Sequence, residues 1–201
     1  MKFPELSISG LVGYWKMDVG VGTSIADKSP NNNPGTINGP TWVAGKILGS
    51  ALSFDGNNDD VTVASNTGYD FGAGDFTVTV WFNGGADAGD IVGKLESGGS
   101  PVGWGIGILS NQMRAYVGDA ENDTNTFFSG DLGADRWRFY AFTRVGSTWT
   151  FRLDTNAPES TVDTLIGNLA NAGSLILGFD GNGLSNPYGG TIDEIRLYTR
   201  V

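Results

Sequence analysis

Cysteine and histidine are both missing from this chain of 201 residues. Without cysteine there is no disulfide and no thiolate metal site, so stability has to come from packing or bound ions. Without histidine the usual general base, the Ser-His-Asp arrangement and imidazole ligation of a metal are excluded. Charge is scarce as well: 17% of residues are charged, and the formal net charge is −10. That balance argues against nucleic acid or an anionic membrane surface as a partner. No apolar run approaches membrane-spanning length, so no membrane insertion is expected, and Met1-Lys-Phe-Pro-Glu-Leu6 lacks a signal-peptide h-region. Of the 22 acids only Glu5, Glu96, Glu121, Glu159 and Glu194 are glutamates. The aspartates fall in loops, a placement that suits turns, caps or ligation of a hard cation.

What is abundant is glycine, at 32 residues, beside 39% hydrophobic and 11% aromatic residues. A chain of this size and apolar content can bury a sizeable core. Short alternating runs separated by Gly/Asn/Asp/Pro turns predict many strands and almost no helix. Strands are expected over 11–17, 35–37, 41–43, 51–54, 61–64, 76–82, 91–95, 104–109, 112–117, 136–144, 148–153 and 175–179, with a last one over Gly190–Arg200. Thr161–Ala172 alone could hold a short helix or turn. The pattern is that of an all-β, antiparallel jelly-roll sandwich. Residues 1–10 read as a lead-in and 11–201 as a single domain, with no repeat period. The first and last strands are expected to pair, bringing Asp193, on the face of Ile195 and Leu197, to the polar loop after the first strand.

Six stretches together resemble one family. They are Gly10-Leu-Val-Gly-Tyr-Trp-Lys-Met-Asp18, Asp27-Lys-Ser-Pro-Asn-Asn-Asn-Pro-Gly-Thr36, Gly49-Ser-Ala-Leu-Ser-Phe-Asp-Gly56, Phe76-Thr-Val-Thr-Val-Trp-Phe82, Trp137-Arg-Phe-Tyr-Ala-Phe142 and Gly190-Thr-Ile-Asp-Glu-Ile-Arg-Leu-Tyr198. In this order they resemble the laminin-G-like (LamG) branch of the concanavalin A-like lectin/glucanase superfamily. The resemblance implies two curved antiparallel sheets whose concave face and rim loops bind glycans, and a structural calcium ion joining the loop after the first strand to the last strand. Carried onto this sequence, the calcium ligands are Asp27 and Asp193, with backbone carbonyls near Asn32 and Thr36. The sequence departs from the family after Asp27, where Ser29-Pro-Asn-Asn-Asn33 stands in place of Ser-Gly-Asn-Gly and changes the φ angles open to the loop.

Calcium takes six to eight oxygens from carboxylates and carbonyls, which this set could supply. The other reading is that Asp27 makes an Asx-turn and Asp193 accepts backbone N–H bonds. Asp55-Gly-Asn-Asn-Asp59 and Asp119-Ala-Glu-Asn-Asp123 imitate the start of an EF-hand loop but lack its Gly at position six and Glu at twelve, so they read as turns, as does Asp180-Gly-Asn-Gly183.

A glycan site needs an aromatic platform with polar neighbours. Trp104, Tyr188 and Tyr116, each near turn residues, are the candidate platforms, with Asn111, Arg114 and Asn186 as hydrogen-bonding neighbours; each ring taken alone also reads as core packing. Trp15, Trp81 and Trp137 read as core or sheet-surface residues. Glycoside hydrolases on this fold carry Glu-x-Asp-x-x-Glu on one strand, and nothing here matches it. The expectation is therefore a non-catalytic, carbohydrate-binding module with a structural calcium ion, forming part of a larger extracellular or cell-surface protein. The alternatives are an adhesion module contacting protein, or a glycan-active enzyme.

Overall fold

The computed structural model describes residues 9–47, 49–85, 88–96, 102–121, 124–133, 135–178 and 186–200. Period-two alternation decides the elements. In Phe76–Gly84 (β7) Phe76, Val78, Val80 and Phe82 are fully buried, while Thr77, Thr79 and Trp81 face outward. The other strands are Leu11–Trp15 (β1), Ser24–Ile25 (β2), Gly35–Asn38 (β3), Thr41–Ala44 (β4), Ser50–Asp55 (β5), Asp60–Val63 (β6), Gly89–Glu96 (β8), Val102–Leu109 (β9) and Gln112–Gly118 (β10). Thr124–Asp131 (β11), Arg138–Val145 (β12), Thr148–Leu153 (β13), Glu159–Val162 (β14), Leu175–Leu177 (β15) and Gly189–Tyr198 (β16) complete the set.

All the strand pairs are antiparallel, and they form two sheets of a jelly roll. Sheet A runs β14-β13-β12-β7-β16-β5-β4, and β1 also lies on β16. Sheet B runs β11-β10-β9-β8-β15-β6-β3-β2. The expected pairing of the termini is present: Tyr14 lies opposite Arg196 and Trp15 opposite Ile195. Between the sheets Phe71, Phe76, Trp104, Phe142 and Trp149 form one aromatic cluster, with Phe71 and Phe76 stacked at 4.3 Å.

Thr161–Ala172 forms no helix. Thr161 and Val162 finish β14, and the rest runs irregularly across the end of the sandwich. Buried cations take up its carbonyls: Arg144 donates to the carbonyls of Ile166 at 3.0 Å and Gly167 at 2.9 Å, and Lys94 Nζ to that of Asn171 at 2.5 Å. A helix would have used those carbonyls internally; here the side chains replace it. Asp55 and Asp59 close a turn on their own backbone, and Asp119 accepts from the amides of Glu121 and Gly167. Asp180–Gly183 and most of the lead-in lie outside the described residues. Among the described residues no helix is long and apolar enough to cross a membrane.

Candidate ligand face on sheet B

Strand β9 reads Val102-Gly-Trp-Gly-Ile-Gly-Ile-Leu109, so every second residue from 103 to 107 lacks a side chain. Trp104, Ile106 and Ile108 point into the core, which leaves the glycines on the outer face. Register extends this row across the whole sheet. Thr126, Tyr116, Gly105, Gly93, Ile176, Thr62, Thr36 and Ser24 are successive cross-strand partners. Tyr116 thus stands beside half-buried Gly105, with buried Gly93 next along the row.

The neighbouring row is Phe128, Arg114, Gly107 and Asp90. The Arg114 guanidinium donates to Asp90 Oδ1, and Asn186 Nδ2 reaches Asp90 Oδ2 at 3.4 Å. Gly107 is required here, because a Cβ would collide with the Asp90 carboxylate and lie 2.9 Å from the Gly89 carbonyl. Burial pushes the Asp90 carboxyl up from its ordinary value, while Arg114 and Asn186 pull it back. Phe128 is 47% exposed at the end of this row.

Of the six sequence-chosen ligand residues, three meet here. Arg114 and Asn186, from segments far apart in the chain, converge on Asp90, and Tyr116 follows Arg114 on the same face. Asn111 lies apart, at the tip of the β9–β10 hairpin, where its φ is 64°. Trp104 and Tyr188 are corrections. Trp104 is 1% exposed among Phe71 and Phe76, because alternation in β9 turns it inward. Tyr188 is fully buried and its hydroxyl donates to the Asn83 carbonyl at 3.1 Å. Neither ring can offer its face to a sugar. Asp90 and the glycine row escaped the sequence reading, although Gly103-Trp-Gly-Ile-Gly107 was a usable signal: a strand that spends three alternate positions on glycine admits close approach to its backbone, here by Asn171 at Gly103 and Asp90 at Gly107.

The residues chosen as calcium ligands do not share one centre in the way expected. Asp27 Oδ1 accepts from the amides of Tyr14 at 2.9 Å and Ser29 at 2.8 Å. Its Oδ2 accepts from the Ser29 hydroxyl at 2.8 Å and the Asn33 amide at 2.9 Å. Both oxygens are filled, as in the Asx-turn reading. Asn32 is a turn residue with φ 50°, and Thr36 sits on the outer face of β3 opposite Ser24 and Thr62. Among the described residues no three Asp or Glu side chains gather where they could hold a metal ion.

Asp193 is also re-placed. Strand β16 carries one extra residue between Asp193 and Arg196 against β7, with Glu194 at φ 55°. This bulge inverts the alternation, so Asp193 lies opposite the outward Trp81 rather than on the face of Ile195. The 45–47 turn covers it: Asp193 is 1% exposed, its Oδ2 accepts from the Lys46 amide at 2.9 Å, and its Oδ1 has no partner among the described residues. Burial first, then Glu194 and Asp18, push its carboxyl up to about 6, against the Lys46 and Ile47 amides. A carboxyl raised in the folded state binds its proton more tightly there, so stability falls as pH rises from about 4 to 6 and is level above. In chelator, Asp193→Asn is expected to remove this slope and to match or exceed the parent at pH 7 by up to about 3 kcal/mol. Urea unfolding between pH 4 and 8 checks it; an unchanged slope would refute it.

Residues 54–201 match the family model Laminin_G_3, of the concanavalin A-like lectin/glucanases superfamily. The chain belongs to this family. No curated protein matches the sequence. Solved structures of the same concanavalin A-like fold include the binding domain of Paraclostridial Mosquitocidal Protein 1, with TM-score 0.76 and 18% identity over 96% of this chain and 49% of its own. The receptor binding domain of botulinum neurotoxin D gives TM-score 0.74 and 13% identity, over 95% and 49%. The binding domain of botulinum neurotoxin DC, in complex with rat synaptotagmin II, gives 0.69 and 15%, over 95% and 48%. At such identities the likeness establishes the fold. This Laminin_G_3 chain spans about half the length of each of these structures.

Proposed function

We propose that this chain is a non-catalytic, lectin-like module that binds carbohydrate on the outer face of sheet B, within a larger extracellular or cell-surface protein. The observation that carries the reading is the convergence of Arg114 and Asn186 on Asp90 beside Tyr116 and the glycine row. A ring, an amide and a charged pair next to half-buried Gly105 can meet a sugar's C–H face and its hydroxyls together. Two features support a role without catalysis. The sequence lacks the paired-carboxylate strand, and on this face Asp90 is tied to Arg114, while Asp60 accepts from Asn38 and Thr62. The names of the similar toxin structures describe binding domains, which supports recognition as the role.

Tyr116→Ala is expected to weaken glycan binding about tenfold, a loss of ~1.4 kcal/mol, in a domain that remains folded. A glycan array followed by titration of the best hit measures this. Retention of full affinity in both Tyr116→Ala and Asn186→Ala would sink the site. The second reading, a module contacting protein, is favoured by exposed Phe128 beside Arg114, and silence across the array would turn the reading that way.

The proposal includes a structural calcium ion at Asp193 rather than at Asp27. What supports it is the orphaned, buried Asp193 Oδ1, an oxygen that suits a hard cation. Saturating Ca²⁺ at a hundred times its dissociation constant should then stabilise the parent by about 2.7 kcal/mol and leave Asp193→Asn unmoved.

A further inference from the structure

Lys94 is the one lysine buried among the described residues, at 1% exposed. Register sets it between Trp104 of β9 and Leu175 of β15, both buried. Its Nζ meets the Asn171 carbonyl at 2.5 Å, Asn171 Oδ1 at 3.1 Å and Asp70 Oδ1 at 3.4 Å. Asn171 is buried as well, and Asp70, just after the 3-10 turn Thr67–Tyr69, is partly buried. A cation this far from water is costly, and one carboxylate at 3.4 Å offsets that only in part. Burial pushes the Lys94 amine down from its ordinary value, against Asp70 and Glu96. The share of neutral amine rises, and the neutral form is the nucleophile.

The Asn171 carboxamide is held for attack at both of its ends. Oδ1 accepts from the Gly173 amide at 2.9 Å, so a backbone N–H points at the oxygen where negative charge would develop. Nδ2 donates to the carbonyls of Lys94 and Leu169, each at 3.2 Å, which fixes the leaving nitrogen. Two glycines make the room. A Cβ at Gly173 would lie 2.9 Å from Asn171 Oδ1, and one at Gly103 would lie 2.6 Å from Nδ2. Asp70 Oδ1 also accepts from the Asn171 amide at 3.0 Å, which pins the carboxylate beside both reacting groups. The side-chain carbonyl carbon is one bond of about 1.2 Å from Oδ1, and so within about 4.3 Å of Nζ. Attack needs about 3–3.5 Å, a gap that a small side-chain movement closes.

We propose that Lys94 and Asn171 join in an intramolecular isopeptide bond, a covalent staple between β8 and the segment leading into β15. Neutral Lys94 Nζ attacks Asn171 Cγ, forming the C–N bond and moving the carbonyl electron pair onto Oδ1, where the Gly173 N–H meets it. Asp70 takes a proton from Nζ and passes it to Nδ2. The Cγ–Nδ2 bond then breaks, the carbonyl re-forms and ammonia leaves. Nothing is oxidised or reduced, and no co-reactant is needed. The product is a neutral amide, so the step also removes the buried charge that makes Lys94 costly. It spans a sequence separation of 77 residues in a chain that has no cysteine for a disulfide. A covalent closure of that length restricts the unfolded chain as a disulfide does. The inference is independent of the glycan reading.

The test is the mass of the intact purified chain after incubation at pH 8, followed by tryptic mapping. The parent is expected to lie below its sequence mass by one ammonia, about 17 Da. Succinimide formation at another asparagine gives the same loss, so the map decides. Trypsin should fail to cut after acylated Lys94, and residues 47–114 and 153–196 should appear as one branched species. Lys94→Arg keeps a cation but cannot close the bond, and it should carry the full sequence mass. Asp70→Asn should slow closure roughly a hundredfold, the usual scale for loss of a proton relay. A parent of full sequence mass overturns the proposal, as does one that loses ammonia yet is cut normally after Lys94. Closure at the parent's rate in Asp70→Asn overturns the relay through Asp70.

Discussion

Replacing Trp104 by alanine is expected to lower the stability of this domain by about 3–5 kcal/mol, the usual cost of removing a buried tryptophan and leaving its cavity. The ring is 1% exposed and lies between Phe71, at 5.9 Å, and Phe76, at 6.2 Å. Phe76 in turn touches Phe142 and Trp149, all three on sheet A facing Trp104 on sheet B, so the cavity would open at the centre of the contact between sheets. Relaxation to fill it is restricted, because β9 is bonded on both sides, to β8 and β10. For a domain of this size the midpoint should fall by roughly 6–20 °C, read by thermal or urea unfolding. Trp104→Phe gives the contrast. The indole Nε1 has no hydrogen-bond partner among the described residues, so phenylalanine forfeits volume but no bond and should cost less than half as much. If alanine were tolerated within about 1 kcal/mol, the assignment of Trp104 to the core would be wrong. Loss of glycan binding in Trp104→Ala reports on the sandwich and not on a sugar contact.

The second large effect is expected at Asp27. Its carboxylate ties the amides of Tyr14, Ser29 and Asn33 and the Ser29 hydroxyl into one knot, holding the loop after β1 against β1 itself. Asp27→Ala leaves these donors facing a small void, and each orphaned buried donor costs about 1–3 kcal/mol, so a total of ~3 kcal/mol or more is expected even if water enters. Added Ca²⁺ should stabilise Asp27→Ala and the parent alike and leave the difference between them unchanged, since the proposed ion site is at Asp193. Loss of the calcium response in Asp27→Ala would return Asp27 to the ion site and overturn the hydrogen-bonded reading. Asp193→Asn behaves in the opposite sense without calcium, since it relieves a buried charge instead of stranding donors. Two aspartates of one expected ligand pair thus part company by their donors alone.

How far the fold could be read from the sequence follows from where alternation holds. Phe76–Phe82 alternates without a break, and its face assignments are right at every position. The pairing of the termini was likewise legible in two apolar-alternating strands. Strand β11 was missed because Thr124-Asn-Thr runs polar before Phe127 and Phe128, and an edge strand needs only one buried face. Asp193 was misplaced by a single extra residue. A bulge has no mark in the sequence when its left-handed position is filled by Glu194 rather than glycine. The candidate site was half legible. Arg114 and Tyr116, two apart on one strand, could be placed on one face, whereas their meeting with Asn186 depends on Asp90, which register alone brings in.

The place of β16 within sheet A has a consequence for how the chain reaches its native state. One edge of this strand is bonded to β7, and the other is divided between β5 and β1. Until β16 docks, sheet A therefore stays split into β14-β13-β12-β7, β5-β4 and an unpaired β1. The closing step joins Leu11 to Tyr198, nearly the whole chain apart, and such loop closure is slow because entropy is lost before contacts repay it. Folding should thus be sharply cooperative, with β16 acting as the latch.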